Sequence, residues 1–354
     1  MAQSDDESAP GWDAIDRALA PIYGGKEPRH FGTLIRYRLG GPDPLDGISA
    51  YDRDTPVPHW HFVTYGFTDL YGPENGVADQ NGYGFELTLR ITRSPNESEP
   101  PMWALNFLQN LARYVFRSGN ILRVGDHMNC NGPIALESET SLHAVVFAYD
   151  PELGEIVAPH GKARFLQVVG ITLDEYAAVQ SWNSAGFIEL LRQSLPLLCT
   201  DLVRGSVLKE VATAAAVQRG IVNDGSSTGL LFVSPLLWEL RGGLVRRQSV
   251  KLTLGAGQIE IIAAVLRGRL GHGRALCLRG QDFSVDFVGG EQCGFSAKED
   301  KLELRLTPEA VLELFERLQP RAESFGLSRF PELQLVIKGT EMRDANGAVV
   351  KTIG

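Results

Sequence analysis

Cysteine is scarce in this chain. The four present, Cys130, Cys199, Cys277 and Cys293, lie far apart with no C-x-x-C spacing. That excludes a zinc ribbon and a disulfide framework, and leaves them as buried or incidental thiols. Long apolar runs are missing too: none approaches the roughly 18 residues that a membrane-spanning helix needs. The opening Met1-Ala-Gln-Ser-Asp-Asp-Glu-Ser8 is acidic where a signal peptide is basic, so a cytoplasmic location is expected. Positive charge is in deficit, with 34 Lys and Arg against 43 Asp and Glu and a formal charge of −9. This argues against a nucleic-acid backbone as partner and leaves a basic protein possible. Catalytic signatures are also absent. There is no G-x-S-x-G, no Walker loop and no H-E-x-x-H, and Gly271-His272-Gly273 lacks the third glycine of a dinucleotide fingerprint. No cofactor is expected, and no sequence repeat or low-complexity block occurs.

What is present suits two globular domains, since 354 residues exceed what one core usually supports. The first nine residues are small or acidic and are expected to form a disordered tail. Trp12, Ile15, Leu19 and Ile22 recur at helical spacing up to Gly24-Gly25. Strands are predicted over Phe31 to Arg38, Ile48 to Arg53 and Gly84 to Thr92. In the last, Phe85, Leu87, Leu89 and Ile91 alternate with Glu86, Thr88, Arg90 and Thr92, the pattern of a half-buried antiparallel strand. Pro100-Pro101 opens a helix that Gly119 closes. Short strands are predicted at Ile121 to Val124, Leu142 to Tyr149 and Ala163 to Val169.

Thr172 to Glu175 has capping-box spacing, and helical patterns continue to Leu195 and from about Val207 to Gln218, ending at Gly220. The first domain then spans 10–240, and Arg241 to Arg247, glycines with exposed charge, reads as a linker. A smaller α+β domain follows over 248–354. It holds a strand around Val250 to Leu254, an apolar stretch from Ile259 to Leu270 and a helix capped by Thr307-Pro308-Glu309. At its end Leu333 to Lys338 and Val349 to Ile353 are joined through the hairpin dipeptide Asn346-Gly347.

Three groups invite chemistry. Pro58 to Tyr71 is the densest aromatic run, and His59 and His61, two apart, share one face of a strand. They could ligate a metal with His127, but a hydrogen-bonded structural pair is the preferred reading and no metal is assigned. Without basic residues between them, the aromatics do not suggest base stacking. Asp126-His127 after Gly125 resembles half of an acid–base pair, so an enzyme using Asp126, His127 and His61 is the rival from another class. Leu266 to Arg274 concentrates Arg267, Arg269 and Arg274 among glycines. A solvated turn is favoured there over an anchor for an acidic peptide or an inter-domain salt bridge.

Several uninterrupted blocks resemble the Suppressor of fused family: Leu39-Gly-Gly-Pro-Asp-Pro-Leu-Asp46, Pro58-His-Trp-His61, Gly66-Phe-Thr-Asp-Leu-Tyr-Gly72, Gly84-Phe-Glu-Leu-Thr88, Leu111-Ala-Arg-Tyr-Val-Phe116, Gly125-Asp-His127 and Thr200-Asp201. The second half agrees in Leu266-Arg-Gly-Arg-Leu270 and His272-Gly-Arg274. The resemblance implies a non-enzymatic α+β protein of two lobes, each a mostly antiparallel or mixed sheet with packed helices, forming an inter-lobe cleft. In animals such proteins clamp an extended peptide of a Gli transcription factor as an added strand and hold it in the cytoplasm.

By the same resemblance Tyr114 and Asp126 match clamp residues of the first lobe, and Leu252 one of the second. Gln248 stands where animal members carry Glu, and the long insert of animal members near this junction is absent. These departures resemble the compact bacterial branch, which has both domains and whose members include toxin-neutralising immunity proteins. The expected function is therefore sequestration of a partner protein or extended peptide, most simply a toxin, with a transcription factor or signalling protein as the alternative. Neither nucleic acid nor membrane is an expected partner.

Overall fold

Strands of alternating character and helices with one apolar face build two compact units. The computed structural model describes them over residues 9–35, 37–71, 81–136, 138–243, 246–343 and 348–354. Unit 1 comprises Met1–Tyr176 and Phe187–Thr213, and unit 2 comprises Ala177–Gly186 and Ala214–Gly354. Each is α+β, with helices packed on mixed sheets. All but the last residue of the expected N-terminal tail lies outside the described residues.

In unit 1 the chain runs α1 (Pro10–Tyr23), β1 (Arg29–Gly32), β2 (Gly47–Arg53), β3 (His59–Tyr65), β4 (Phe85–Thr92), α2 (Met102–Ser118), β5 (His127–Asn129), β6 (Leu142–Tyr149), β7 (Glu155–Ala158) and β8 (Gly161–Thr172). The helices α3 (Leu173–Ser181) and α4 (Ser184–Ser194) carry it through both units. The sheet order is β1-β2-β3-β4-β8-β6-β5, with β7 also on β8. Only the β4–β8 contact is parallel among these pairs.

The sheet is covered on both faces. On one, Trp60, Phe62, Leu87 and Leu89 pack with Leu105, Leu108 and Leu111 of α2. On the other, Tyr51, Val63, Tyr65 and Phe165 pack with Ile15 and Leu19 of α1. Here the structure corrects the reading of β4. Seven of its eight residues are buried, because its polar side lies under α1 instead of water.

Two more strands differ from expectation. The first ends at Gly32, a 3₁₀ turn occupies Tyr37–Leu39, and Leu34 and Ile35 are exposed. Ile121 to Val124 forms no strand; the chain turns through Gly125 (φ 90°), whose N–H reaches the Phe147 carbonyl at 2.8 Å, and β5 begins at His127. By contrast α2 ends as predicted, with Gly119 left-handed at φ 70° and its N–H on the Val115 carbonyl.

Unit 2 contains α5 (Val211–Asp224), most of which lies in it, then β9 (Leu230–Phe232), β10 (Leu236–Gly243), β11 (Arg246–Gly255), α6 (Ile259–Leu270), β12 (Leu276–Arg279), β13 (Ser284–Gly289), β14 (Gly294–Lys298), β15 (Lys301–Leu306), α7 (Pro308–Arg317), β16 (Glu323–Leu327), β17 (Phe330–Lys338), β18 (Thr340–Arg343) and β19 (Val349–Ile353). They form sheets β14-β15-β13-β12-β9, β10-β11-β17-β16 and β18-β19 around one apolar core.

The stretch read as a linker is instead the end of one hairpin. Arg241 pairs with Ser249 and Gly243 with Arg246 across β10 and β11, inside unit 2. Residues 230–240 likewise belong to unit 2, since β9 pairs with β12 and β10 with β11. Glycine and charge signalled a turn here, and only the strand pairing shows that it is not a boundary. The Asn346-Gly347 turn lies outside the described residues.

Gly220 was expected to end a helix but lies inside α5, and Trp182 explains it. The indole Nε1 donates to Asp224 at 2.8 Å, and its ring occupies the space that a Cβ at Gly186 or Gly220 would need. A Cβ at Gly220 would sit 2.1 Å from Trp182 Cε2. Gly→Ala in a helix ordinarily stabilises by about 1 kcal/mol, but forced overpacking loses about 1–3 kcal/mol. Gly220→Ala is thus expected to lower the urea midpoint. A raised midpoint would show that the indole moves aside freely.

Candidate partner-binding site

Pro58 to Tyr71 supplies β3, a strand interior to its sheet with all seven residues buried. His59 Nδ1 lies 2.7 Å from the Val57 carbonyl. His61 Nδ1 lies 2.7 Å from the Tyr23 hydroxyl, and its Nε2 is 3.4 Å from Asp150 Oδ2. Among the described residues no three His, Cys, Asp or Glu side chains are grouped to hold a metal.

Asp150 is the hub of this layer. Its carboxylate accepts from Arg90 Nη1 at 2.5 Å, Thr88 Oγ1 at 2.7 Å and the backbone N–H groups of Glu152 and Leu153 at 2.9 and 3.0 Å. Arg90, wholly buried, also donates to Gln167 and, at 2.9 Å, to Glu152. Burial opposes the charge on Asp150, but His61 and Arg90 outweigh it and hold the carboxyl well below the usual range. Burial, aided by Arg90, pushes His61 down to about 4, so its ring is neutral at pH 7.

The sequence blocks around this layer meet in space. Glu86 Oε1 accepts the Gly66 and Thr68 amides, both at 3.0 Å, and the Thr68 hydroxyl at 2.7 Å, while Oε2 accepts Thr64 at 2.6 Å. Arg113 holds Asp43. Thr200 joins the far end of β4, its N–H on the Arg90 carbonyl and its own carbonyl on the Thr92 N–H. Asp150, Gln167 and Tyr23 were missed by sequence reasoning. No local pattern marks them, because the Arg90–Asp150 contact spans 60 positions.

The enzymatic constellation does not assemble. His61 on β3 and His127 on β5 stand four strand steps apart in the sheet order, roughly 19 Å at about 4.8 Å per step. His61 is buried against Tyr23 and Asp150, whereas Asp126 is exposed. His127 lies edge-on to Tyr176, with Nδ1 3.3 Å from the Gly125 carbonyl.

In the arginine-rich stretch Arg267 and Arg269 lie on α6, and Gly271 to Gly273 form the exposed turn after it. Arg269 donates to the carbonyls of Ala275 and Ser226, Arg274 to that of Asp224, and Arg267 lies over the Phe315 ring at 5.2 Å. The three guanidinium groups fasten α6 and its following loop to the rest of unit 2.

Tyr114 lies near the C-terminal end of α2, and Asp126 is the last residue of the segment joining α2 to β5. Tyr114 is 39% exposed, and its hydroxyl accepts from Asn120 Nδ2 at 2.7 Å. Asp126 closes the turn that begins at Arg123: its N–H reaches the Arg123 carbonyl at 3.0 Å and its carboxylate accepts the Arg123 N–H at 2.8 Å. The next residue starts β5, an edge strand. It pairs with β6 on one side, and among the described residues no strand covers the other. An uncovered edge offers unpaired N–H and C=O groups to an added strand.

In unit 2, Gln248 is exposed on β11, before the β17 pairing begins at Val250. Leu252 is different. Its side chain is wholly buried in the core, and its strand is paired on both sides, to Trp238 and Leu335. Any part it takes in binding is through holding β11 in place. Unit 2 also has an edge strand that sequence reasoning did not single out for binding: β9, with Leu230 41% and Phe232 71% exposed.

A family model described as Suppressor of fused protein (SUFU) matches residues 41–205. The human Suppressor of fused homolog is 38% identical over 217 residues, and the mouse homolog 38% over 216. Each match takes in 56% of this chain and 44% of the relative, so the matched region is under half the length of these relatives. The crystal structure of Drosophila Suppressor of Fused shares the fold, with a TM-score of 0.80 over 95% of this chain and 99% of that chain at 23% identity. A chain in the Sufu-Fu complex crystal structure matches with a TM-score of 0.56 over 60% of this chain and 98% of its own length, at 32% identity. The matched region 41–205 carries β3, the Glu86 anchor, α2, the Asp126 turn and Thr200, and by these matches the chain belongs to the Suppressor of fused family.

Proposed function

We propose that this chain is a non-enzymatic, cytoplasmic binding protein that sequesters a protein partner by taking an extended segment of it as an added strand. The observation that carries the reading is the open edge of β5, entered directly from the exposed Asp126 and reached from α2, which carries Tyr114. Main-chain pairing supplies affinity in such a complex, and side chains beside the edge select the sequence. Asp126 suits a basic or hydrogen-bond-donating side chain, and Tyr114 an apolar or aromatic one. In unit 2 the residues assigned to the grip are Gln248 and Leu252, the latter through its strand. That a relative is known in the Sufu-Fu complex supports protein binding in the family.

The partner we propose is a toxin or toxin domain, which makes the chain an immunity protein. The acidic balance favours a basic partner, and Gln248 supports a ligand other than the one animal members hold. A transcription factor or signalling protein is the second reading, favoured by the likeness to the human homolog.

The test is titration of wild type and of the Tyr114→Ala, Asp126→Ala double variant with the protein encoded by the adjacent gene. Two truncations at the centre of an interface are expected to weaken binding by about a hundredfold. Equal affinity for both would remove the β5 edge from the reading. A partner that is itself toxic when expressed alone decides for immunity, and a DNA-binding partner decides for the second reading.

A further inference from the structure

Unit 1 carries a second feature that this function leaves unused. An open-sided groove of about 580 Å³ lies on the α2 face of the sheet, within the range that accommodates a ligand or a few side chains. Its floor is apolar, from the buried Phe85 and Leu166, and Ile121 and Val124 form an apolar wall, 40% and 36% exposed. Its rim is cationic. Arg123, Lys162 and Arg164 face a single carboxylate, Glu155, which lies 2.9 Å from Arg164 Nε and 3.9 Å from Lys162 Nζ. Two positive charges are left over among the described residues lining the groove, in a chain whose formal charge is −9, with the Asp126 carboxylate on the backbone N–H of Arg123 beside them. Neither Tyr114, Asp126 nor β5 is among the described residues lining it.

We propose that this groove docks an acidic peptide segment of a partner protein, one in which Asp or Glu alternates with large apolar residues. Apolar side chains would fill the floor between Phe85 and Val124 while carboxylates meet Arg123 and Lys162 at the rim. A nucleic acid does not fit the same features. Two surplus charges neutralise far fewer phosphates than the six to ten or so contacts of a duplex-binding site, and the overall negative charge repels a polyanion. The site differs in sign from the β5 edge, where Asp126 is the exposed charge, so the two surfaces select different segments.

The experiment is fluorescence polarisation of the full chain with a fluorescein-labelled octapeptide of alternating Glu and Leu, and with its Lys and Leu counterpart. Saturable binding of the acidic peptide is expected, weakened about tenfold by Arg123→Glu with Lys162→Glu. Arg123→Gln alone, at an exposed turn, gives the same direction should the double variant fold poorly. Absence of saturable binding, equal binding of the basic peptide, or wild-type affinity in both charge variants would overturn the proposal.

Discussion

Asp150→Ala is expected to lower the unfolding free energy by about 3–5 kcal/mol, the range for removing one partner of a buried ion pair. Arg90 has no exposure at all, and without Asp150 its charge is left with Glu152 and Gln167. The Thr88 hydroxyl and the N–H groups of Glu152 and Leu153 lose their acceptor in the same step, and their desolvation is part of that loss. Urea denaturation at pH 7 measures the loss. Adding Arg90→Met should restore part of it, because the uncompensated cation then disappears; the pair is close enough to couple. A loss below about 1 kcal/mol for Asp150→Ala would mean that Glu152 alone neutralises Arg90.

The second large effect is on pH dependence, where two buried groups act in opposite senses. Burial pushes Glu86 up to about 7, against the hydrogen bonds from Thr64, Thr68 and Gly66. Between its ordinary 4.5 and 7 the folded state holds a proton that the unfolded state has released, so this group's stabilisation is complete below about 4.5 and lost as pH rises through 7. His61 works the other way. Its folded value of about 4 lies under the ordinary 6.5, so its contribution is complete above 6.5 and lost as pH falls towards 4. Burial also lowers His30, His59 and His127, which adds to the loss in acid.

Each of the two large shifts corresponds to about 3 kcal/mol at full extent. From pH 4.5 to 6.5 they oppose one another. Glu86→Gln keeps the acceptor on Gly66 and Thr68 but removes the titration, so stability should then rise with pH by up to about 3 kcal/mol more than in wild type across that window. His61→Gln should flatten the rise or reverse it. Denaturant midpoints at pH 4.5, 5.5 and 6.5 distinguish the cases, and parallel curves for Glu86→Gln and wild type would place the Glu86 carboxyl near its ordinary value.

Much of the molecule is readable from local pattern. Helix α2 follows from its apolar face, its prolines and Gly119; α7 follows from Thr307, whose hydroxyl accepts the Ala310 N–H at 3.3 Å. The capping box at Thr172 forms in half, with the Thr172 N–H on Glu175 at 2.9 Å. The other half is replaced: the Thr172 hydroxyl donates to the Asp174 carboxylate, while Glu175, wholly buried, also takes both Arg204 amino groups at 2.7 Å. The sequence blocks that resemble the Suppressor of fused family are legible as well, and most of them serve the frame. Asp43 meets Arg113, Glu86 meets Gly66 and Thr68, and Thr200 extends β4.

The sequence by itself determined the class of the molecule and most of its helices and strands, whereas Tyr114 and Asp126 were singled out by family resemblance. The helices and strands depend on residues a few positions apart, where backbone geometry and side-chain period act directly. Tertiary structure alone decided three things. It set the polar side of β4 against α1, making Arg90 and Asp150 a buried pair where alternation had implied a wet face. It paired Arg241 with Ser249 and Gly243 with Arg246 across β10 and β11, although glycine and charge there read as a linker. It placed β5 at the end of its sheet, with no further strand beside it among the described residues. Each depends on which strands pair and what covers a face, and that is settled by contacts between residues tens to hundreds of positions apart, about which local periodicity carries no information.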